Sequence, residues 1–158
     1  MEQQTLHFAS RVEFEQQLLE CFGRARLRLQ WFDPDFALWG LGTAAVEAEL
    51  RRFLLAKGQL QLVAHHSAFL AQRCPRFLRL LKDYSHAIEC RATGKNLRHL
   101  TDSFCLADGR HLVRRFHCDH LRGEASFDNP DATTVSAERF AGIWLESDPG
   151  LHASTTGL

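Results

Sequence analysis

The sequence predicts an α/β domain: a mixed, largely parallel sheet flanked by helices on both faces, with an antiparallel hairpin at residues 101–116. Three observations predict it. From Ser10 to Ala92, segments with helical spacing of apolar residues alternate with short extended runs, and such α-β alternation favours parallel strands covered by helices. Beyond them, two apolar runs are joined by Asp108-Gly109, a pair suited to the left-handed backbone of a type I′ hairpin turn. Finally, 158 residues with 45% hydrophobic content can bury a sizeable core. No linker, repeat or low-complexity stretch divides the chain, so residues 1–150 are expected to be one domain and 151–158 a tail without periodicity.

Each element has a local reason. Ser10-Arg11-Val12-Glu13 is a capping box, in which serine and glutamate satisfy free N–H groups at a helix start. Val12, Leu18, Leu19 and Phe22 continue that helix, and Gly23 stops it. Residues 24–31 alternate: Ala25, Leu27, Leu29 and Trp31 on one face, Arg24, Arg26, Arg28 and Gln30 on the other. That pattern predicts a strand with one solvated face, at the edge of the sheet. Asp33-Pro34-Asp35 breaks it, and Phe36 and Trp39 in the following loop lid the core or close a pocket.

Thr43 caps a second helix through Val46, Leu50, Phe53 and Leu54, ended by Lys57-Gly58. A strand at 59–64 follows. Ser67 caps a third helix through Phe69 and Leu70, and Pro75 restarts or kinks it on the way to Phe77, Leu78, Leu81 and Tyr84. Residues 86–92 form the next strand. The hairpin strands are Ser103–Ala107 and His111–Phe116, with a short strand at Glu124–Phe127. Asn129-Pro130-Asp131 starts a last helix with Val135, Phe140, Ile143 and Trp144 inward.

Charge and cysteine usage narrow the function classes. Lys plus Arg is 19 and Asp plus Glu is 19, so no global field gathers nucleic acid or anionic lipid. The five cysteines are odd in number, scattered and without a CxxC pair, so reduced, buried thiols in a cytoplasmic setting are expected. The polar N-terminus has no apolar signal segment, and no apolar run reaches the length of a membrane span. There is no Gly-rich phosphate loop and no Gly-x-Ser-x-Gly, and no cofactor is expected.

The stretch TDSFCLADG, then HLVRRF and GEASFDNP, resembles the motif region of one half of the phospholipase D-like superfamily. The segment RCPRFLRLLKDYSH at residues 73–86 and the terminal Gly-Leu resemble an uncharacterised bacterial group of such domains. The resemblance implies a half-domain whose His-x-Lys-x4-Asp motif would supply a nucleophilic histidine, a phosphate-holding lysine and an orienting aspartate. Asp108 fits the aspartate. Thr101 stands where the histidine should be and Ser103 where the lysine should be. Thr101 cannot become a phosphohistidine and Ser103 carries no charge, so the resemblance implies the fold and argues against the activity. A lone half also implies a homodimer or a docked partner protein.

The remaining candidates are weighed against structural roles. His99, Asp102 and Asp108 are candidates for a rewired catalytic site; for Asp108 the turn-forming role is the favoured one. Thr101, Ser103, Arg114, Arg115, Asp128 and Asn129 are candidates for binding an anionic ligand. Arg114 and Arg115 are adjacent on a strand, so one faces inward and needs a partner, with Asp102, Glu124 and Asp128 on offer. His117-Cys118-x-His120 and His65-His66 lack the convergent spacing of a zinc site, so no metal is expected. Cys74 beside Arg73 has no catalytic-cysteine context. Three functions follow in order: a non-catalytic binding or interaction module, a phosphodiester or phospholipid hydrolase with a rewired site, and nucleic-acid binding through Arg24, Arg26 and Arg28.

Overall fold

Ser10 starts the first helix as its capping box requires. Its hydroxyl accepts from the Glu13 N–H at 3.2 Å, while the Glu13 carboxylate takes the Ser10 hydroxyl at 2.9 Å and reaches back to the Ala9 N–H. The computed structural model describes residues 4–152. The elements are β1 (Gln4–Phe8), α1 (Arg11–Arg24), β2 (Arg28–Asp33), α2 (Ala44–Leu55), β3 (Gln59–Ala64), α3 (Ala68–Arg73), α4 (Pro75–Asp83) and β4 (Ile88–Thr93). A single 3₁₀ turn (Lys95–Leu97) leads to β5 (Ser103–Ala107), β6 (His111–Arg115), β7 (Gly123–Phe127), α5 (Pro130–Leu145) and β8 (Ser147–Pro149). Thr43 caps α2 and Asn129 caps α5 through their side chains, and Pro75 restarts the chain as the first residue of α4.

The strands form one sheet in the order β1-β7-β6-β5-β2-β3-β4-β8. The α/β class and the mixed sheet agree with the sequence reading; the balance of directions does not. Among the described residues only β2-β3 and β3-β4 are parallel, and the other pairings are antiparallel. The cause is the hairpin. After β4 the chain crosses to the far side of β2, and β5, β6 and β7 then add as a meander. This makes β2 an interior strand rather than an edge. Arg24 belongs to α1, and Arg26 and Leu27 precede the strand, so the three-arginine strand face does not form. Gln30 faces Gln61 on the neighbouring strand instead, at 3.1 Å. The two edges are β1 and β8, short segments without a legible pattern.

Alternation along the strands fills two layers. Leu29 and Trp31 face a core shared with α1, α2 and α4, where Phe14, Phe22, Phe36, Trp39 and Phe77 are fully buried. Phe36 and Trp39 therefore lid that core. Phe32, Val63, Phe104, Leu106 and Leu112 face the other way, against Phe140 and Ile143 of α5. Two helical stripes differ from expectation. Val12 and Val135 are solvent-exposed, and Phe14 and Thr133 take the inward positions. Residues 153–158 of the expected tail lie outside the described residues, while Leu151 is buried in the main core.

Candidate functional site

The strand ends bring five polar side chains together at one end of the sheet. Asp33 ends β2, His65 follows β3, Thr93 ends β4, Ser103 begins β5 and Arg115 ends β6. Phe32 pairs with Phe104 and Ser103 pairs with Arg115, so the register sets Asp33, Ser103 and Arg115 side by side. The Arg115 guanidinium donates to Asp33 at 2.7 Å, to the Ser103 hydroxyl at 3.2 Å and to the Cys118 carbonyl at 2.7 Å. Its partners leave almost no surface: the side chains of Arg115 and Asp33 are 2% and 1% exposed. The second Asp33 oxygen accepts from the Asp35 and Phe36 N–H groups. The guanidinium also lies over the Phe14 ring, 5.0 Å from its centroid.

His65 completes the same end. Its Nε2 sits 2.8 Å from the Leu100 carbonyl, which can only accept, so Nε2 carries the proton. Nδ1 then accepts from the Thr93 hydroxyl at 2.6 Å. Both ring nitrogens are committed and the ring is 6% exposed. These five residues are a closed polar cluster rather than an open pocket.

The predicted residues divide between the two ends of β5. Ser103 and Arg115 lie in the cluster. Thr101 borders it: its side chain is exposed and its carbonyl accepts from the Cys118 N–H at 2.8 Å. Arg114 faces outward, bonded to Glu124 at 2.9 Å. His99 is exposed, and Asp102 is held by Arg139 of α5 at 2.9 Å. Asp108, Asp128 and Asn129 stand at the opposite end, so His99, Asp102 and Asp108 do not form one catalytic site. The partner of Arg115 is Asp33, not one of the carboxylates the sequence offered. Asp33 and Thr93 carried no motif signal; the one clue to Asp33 was its place at the end of an apolar strand.

Asp108 is held by its own loop. One oxygen accepts from the Leu27 and Arg28 N–H groups at 2.8 and 2.9 Å, and the other from the Arg26 N–H at 2.9 Å. With φ of 56° at Asp108 and 66° at Gly109, both central residues are left-handed, as a type I′ turn requires. Behind it, His111 is 4% exposed, and burial is the main cause that keeps its pKa below the ordinary value. In the β6-β7 loop, His117, Cys118 and Asp119 each place a ligand atom within 4.8 Å of the others, with His117 Nδ1 already accepting the Asp119 N–H. Burial pushes the Cys118 thiol pKa up. Gly123 is required by packing: a Cβ there would clash with the Arg114 carbonyl oxygen.

This sheet order and its flanking helices give a phospholipase D-like α/β fold. Solved structures share the fold. Nuc from Salmonella typhimurium, a phospholipase D family member, superposes with a TM-score of 0.66 at 12% identity over 94% of this chain and 99% of that one. NucT from Helicobacter pylori superposes with a TM-score of 0.66 at 8% identity, over 94% of this chain and 100% of that one. The archaeal chromatin protein TrmBL2, described with a novel mode of DNA binding, gives a TM-score of 0.70 at 9% identity, covering 92% of this chain. The chain spans 54% of that protein. No curated protein matches in sequence. Residues 10–152 match the family described as Domain of unknown function (DUF7931), and the chain belongs to it.

Proposed function

We propose that this domain is a non-catalytic phospholipase D-like module that presents its closed motif end to a second copy of itself. The observation that carries this reading is the Arg115–Asp33 pair. A phosphoryl-transfer site needs an activated nucleophile with room for substrate beside it. Here the motif positions hold Thr101 and Ser103, and the space between them and β2 is filled by a guanidinium tied to carboxylate, hydroxyl and carbonyl. His65, the buried histidine at that end, has both ring nitrogens committed. A hydrolase with a rewired site is disfavoured for the same reason.

Pairing is supported by the surface around the cluster. Phe116 is 46% exposed beside the Arg114–Glu124 pair, which gives an apolar centre with charged neighbours. Phe127 is buried under Arg24 and adds no apolar area there. A two-fold contact there would join like patches. Light scattering across a micromolar dilution series tests it: a mass near twice 18.0 kDa is expected, and a monomer mass throughout rejects the pairing.

A DNA-binding reading draws on the likeness to TrmBL2. It is weakened by the balanced charge and by the dispersal of the arginine stripe. A gel-shift titration at low and moderate salt separates the two, since phosphate contacts would give steep salt dependence. Among the described residues no helix is long and apolar enough to cross a membrane.

A further inference from the structure

A wide cleft lies at the end of the sheet opposite the motif. It encloses about 900 Å³ beneath the hairpin turn, and its polar lining is Arg24, Arg26, Arg52, Arg110 and His111, with Asp108 and Asp128. Arg28 flanks it in an adjoining hollow beyond Leu27 and Asp108. We propose that this cleft binds a phosphate dianion, free or as the terminal group of a small phosphomonoester. The inference goes beyond the closed motif end and does not depend on pairing.

Most of the charges lining the cleft are already spent on one another or on the backbone. Asp128 is shared between Arg24 at 3.4 Å and Arg110 at 3.2 Å. Arg24 also holds Glu20, and Arg52 holds Glu49 while donating to the carbonyls that end α1. Asp108 spends both oxygens on backbone N–H groups. Among the described residues, the guanidiniums of Arg26 and Arg28 have no carboxylate or carbonyl partner. Arg26 lines the cleft, and Arg28 stands beyond Leu27 in the adjoining hollow.

The wall supplies an independent sign. His111 is 4% exposed and its Nδ1 accepts from the Asp128 N–H at 3.1 Å. That bond assigns the proton of the neutral ring to Nε2. Nε2 has no acceptor among the described residues, and the ring lines the cleft. Nε2 thus offers the cleft a ring N–H that no described group accepts, and an incoming oxygen can take it. A neutral ring donor between forked guanidiniums suits an anion with three or more acceptor oxygens; a carboxylate offers only two. The volume leaves room for an organic group behind the phosphate.

The test uses the full chain and two probes, inorganic phosphate and phenyl phosphate, at constant ionic strength against chloride. The readout is the His111 ring nitrogen signal in ¹⁵N-resolved NMR, with thermal melting in parallel. A saturable His111 shift with a rise in Tm is expected. Arg26→Gln, an exposed change that breaks no hydrogen bond or ion pair of the guanidinium, should weaken apparent affinity about fivefold, the scale of one solvated ion pair. Arg110→Gln should weaken it as well. Tighter binding of phenyl phosphate assigns the monoester, and equal or weaker binding assigns free phosphate. No His111 shift, the same shift with chloride, or unchanged titrations in both variants would overturn the site.

Discussion

Arg115→Met removes a guanidinium from a fully buried ion pair while keeping an unbranched stem over the Phe14 ring. The change leaves one Asp33 oxygen without its charged donor, although the other keeps the Asp35 and Phe36 N–H groups. Stranding one member of a buried pair costs about 3–5 kcal/mol. For a domain of this size that is a fall in Tm of roughly 6–20 °C. Asp33→Asn strands Arg115 less completely, because Ser103 and Cys118 still accept from it. The double variant removes the charge on both sides, and its stability should lie within about 1.5 kcal/mol of the starting protein, since isosteric replacement of a buried pair is close to neutral. Urea unfolding of all four proteins closes the cycle. If both single changes cost under about 1 kcal/mol and the double change equals their sum, the pair is not coupled and the closed-site argument is wrong.

Other consequences are direct. Asp108→Ala should lose about 2–4 kcal/mol, because three backbone N–H groups surrender a charged acceptor at a half-exposed site. Gly109→Val should lose about 1–3 kcal/mol through backbone strain alone, since no atom lies within 4 Å of the added Cβ; an unchanged melting temperature in either variant would refute the turn assignment. His111, with its folded pKa below the unfolded value, binds fewer protons when native. It therefore contributes stability that is complete above the unfolded pKa of about 6.5 and is lost as pH falls through the lower folded value. His111→Asn, which keeps an acceptor near Nδ1, should flatten that acid slope in a pH series of melts; an identical slope would contradict it. Burial pushes the Cys90 thiol up to about 12, and Cys21, Cys74 and Cys105 are also buried, so a thiol reagent at pH 8 should reach Cys118 first and the other four only after unfolding.

Much of the fold was legible because local chemistry and tertiary structure agree. The capping box at Ser10, the Asp108-Gly109 turn, the Pro75 restart and the Asn129 cap each act within a few residues of where they are written. Strand order was less legible. Alternating elements favour parallel pairing, yet nothing local states that the hairpin inserts beside β2. With that insertion, the arginine alternation at 24–28 lost its meaning as an edge strand. The edge strands β1 and β8 are too short to show a period. Of the candidate site, the register of Thr101 and Ser103 was readable, and so was the inward turn of one arginine of the pair. Asp33, Thr93 and the role of His65 were not, because they converge only when two crossovers bring the ends of β2, β3 and β4 together.

In the proposed reading the motif end does not support phosphodiester cleavage. Turnover of bis(p-nitrophenyl) phosphate by the purified chain, followed over a day at high protein concentration, tests this most directly. The account predicts release of p-nitrophenol no faster than buffer alone, and no change on Ser103→Ala. Turnover that survives repeated purification and disappears in Ser103→Ala, with the variant still folded by circular dichroism, would contradict it.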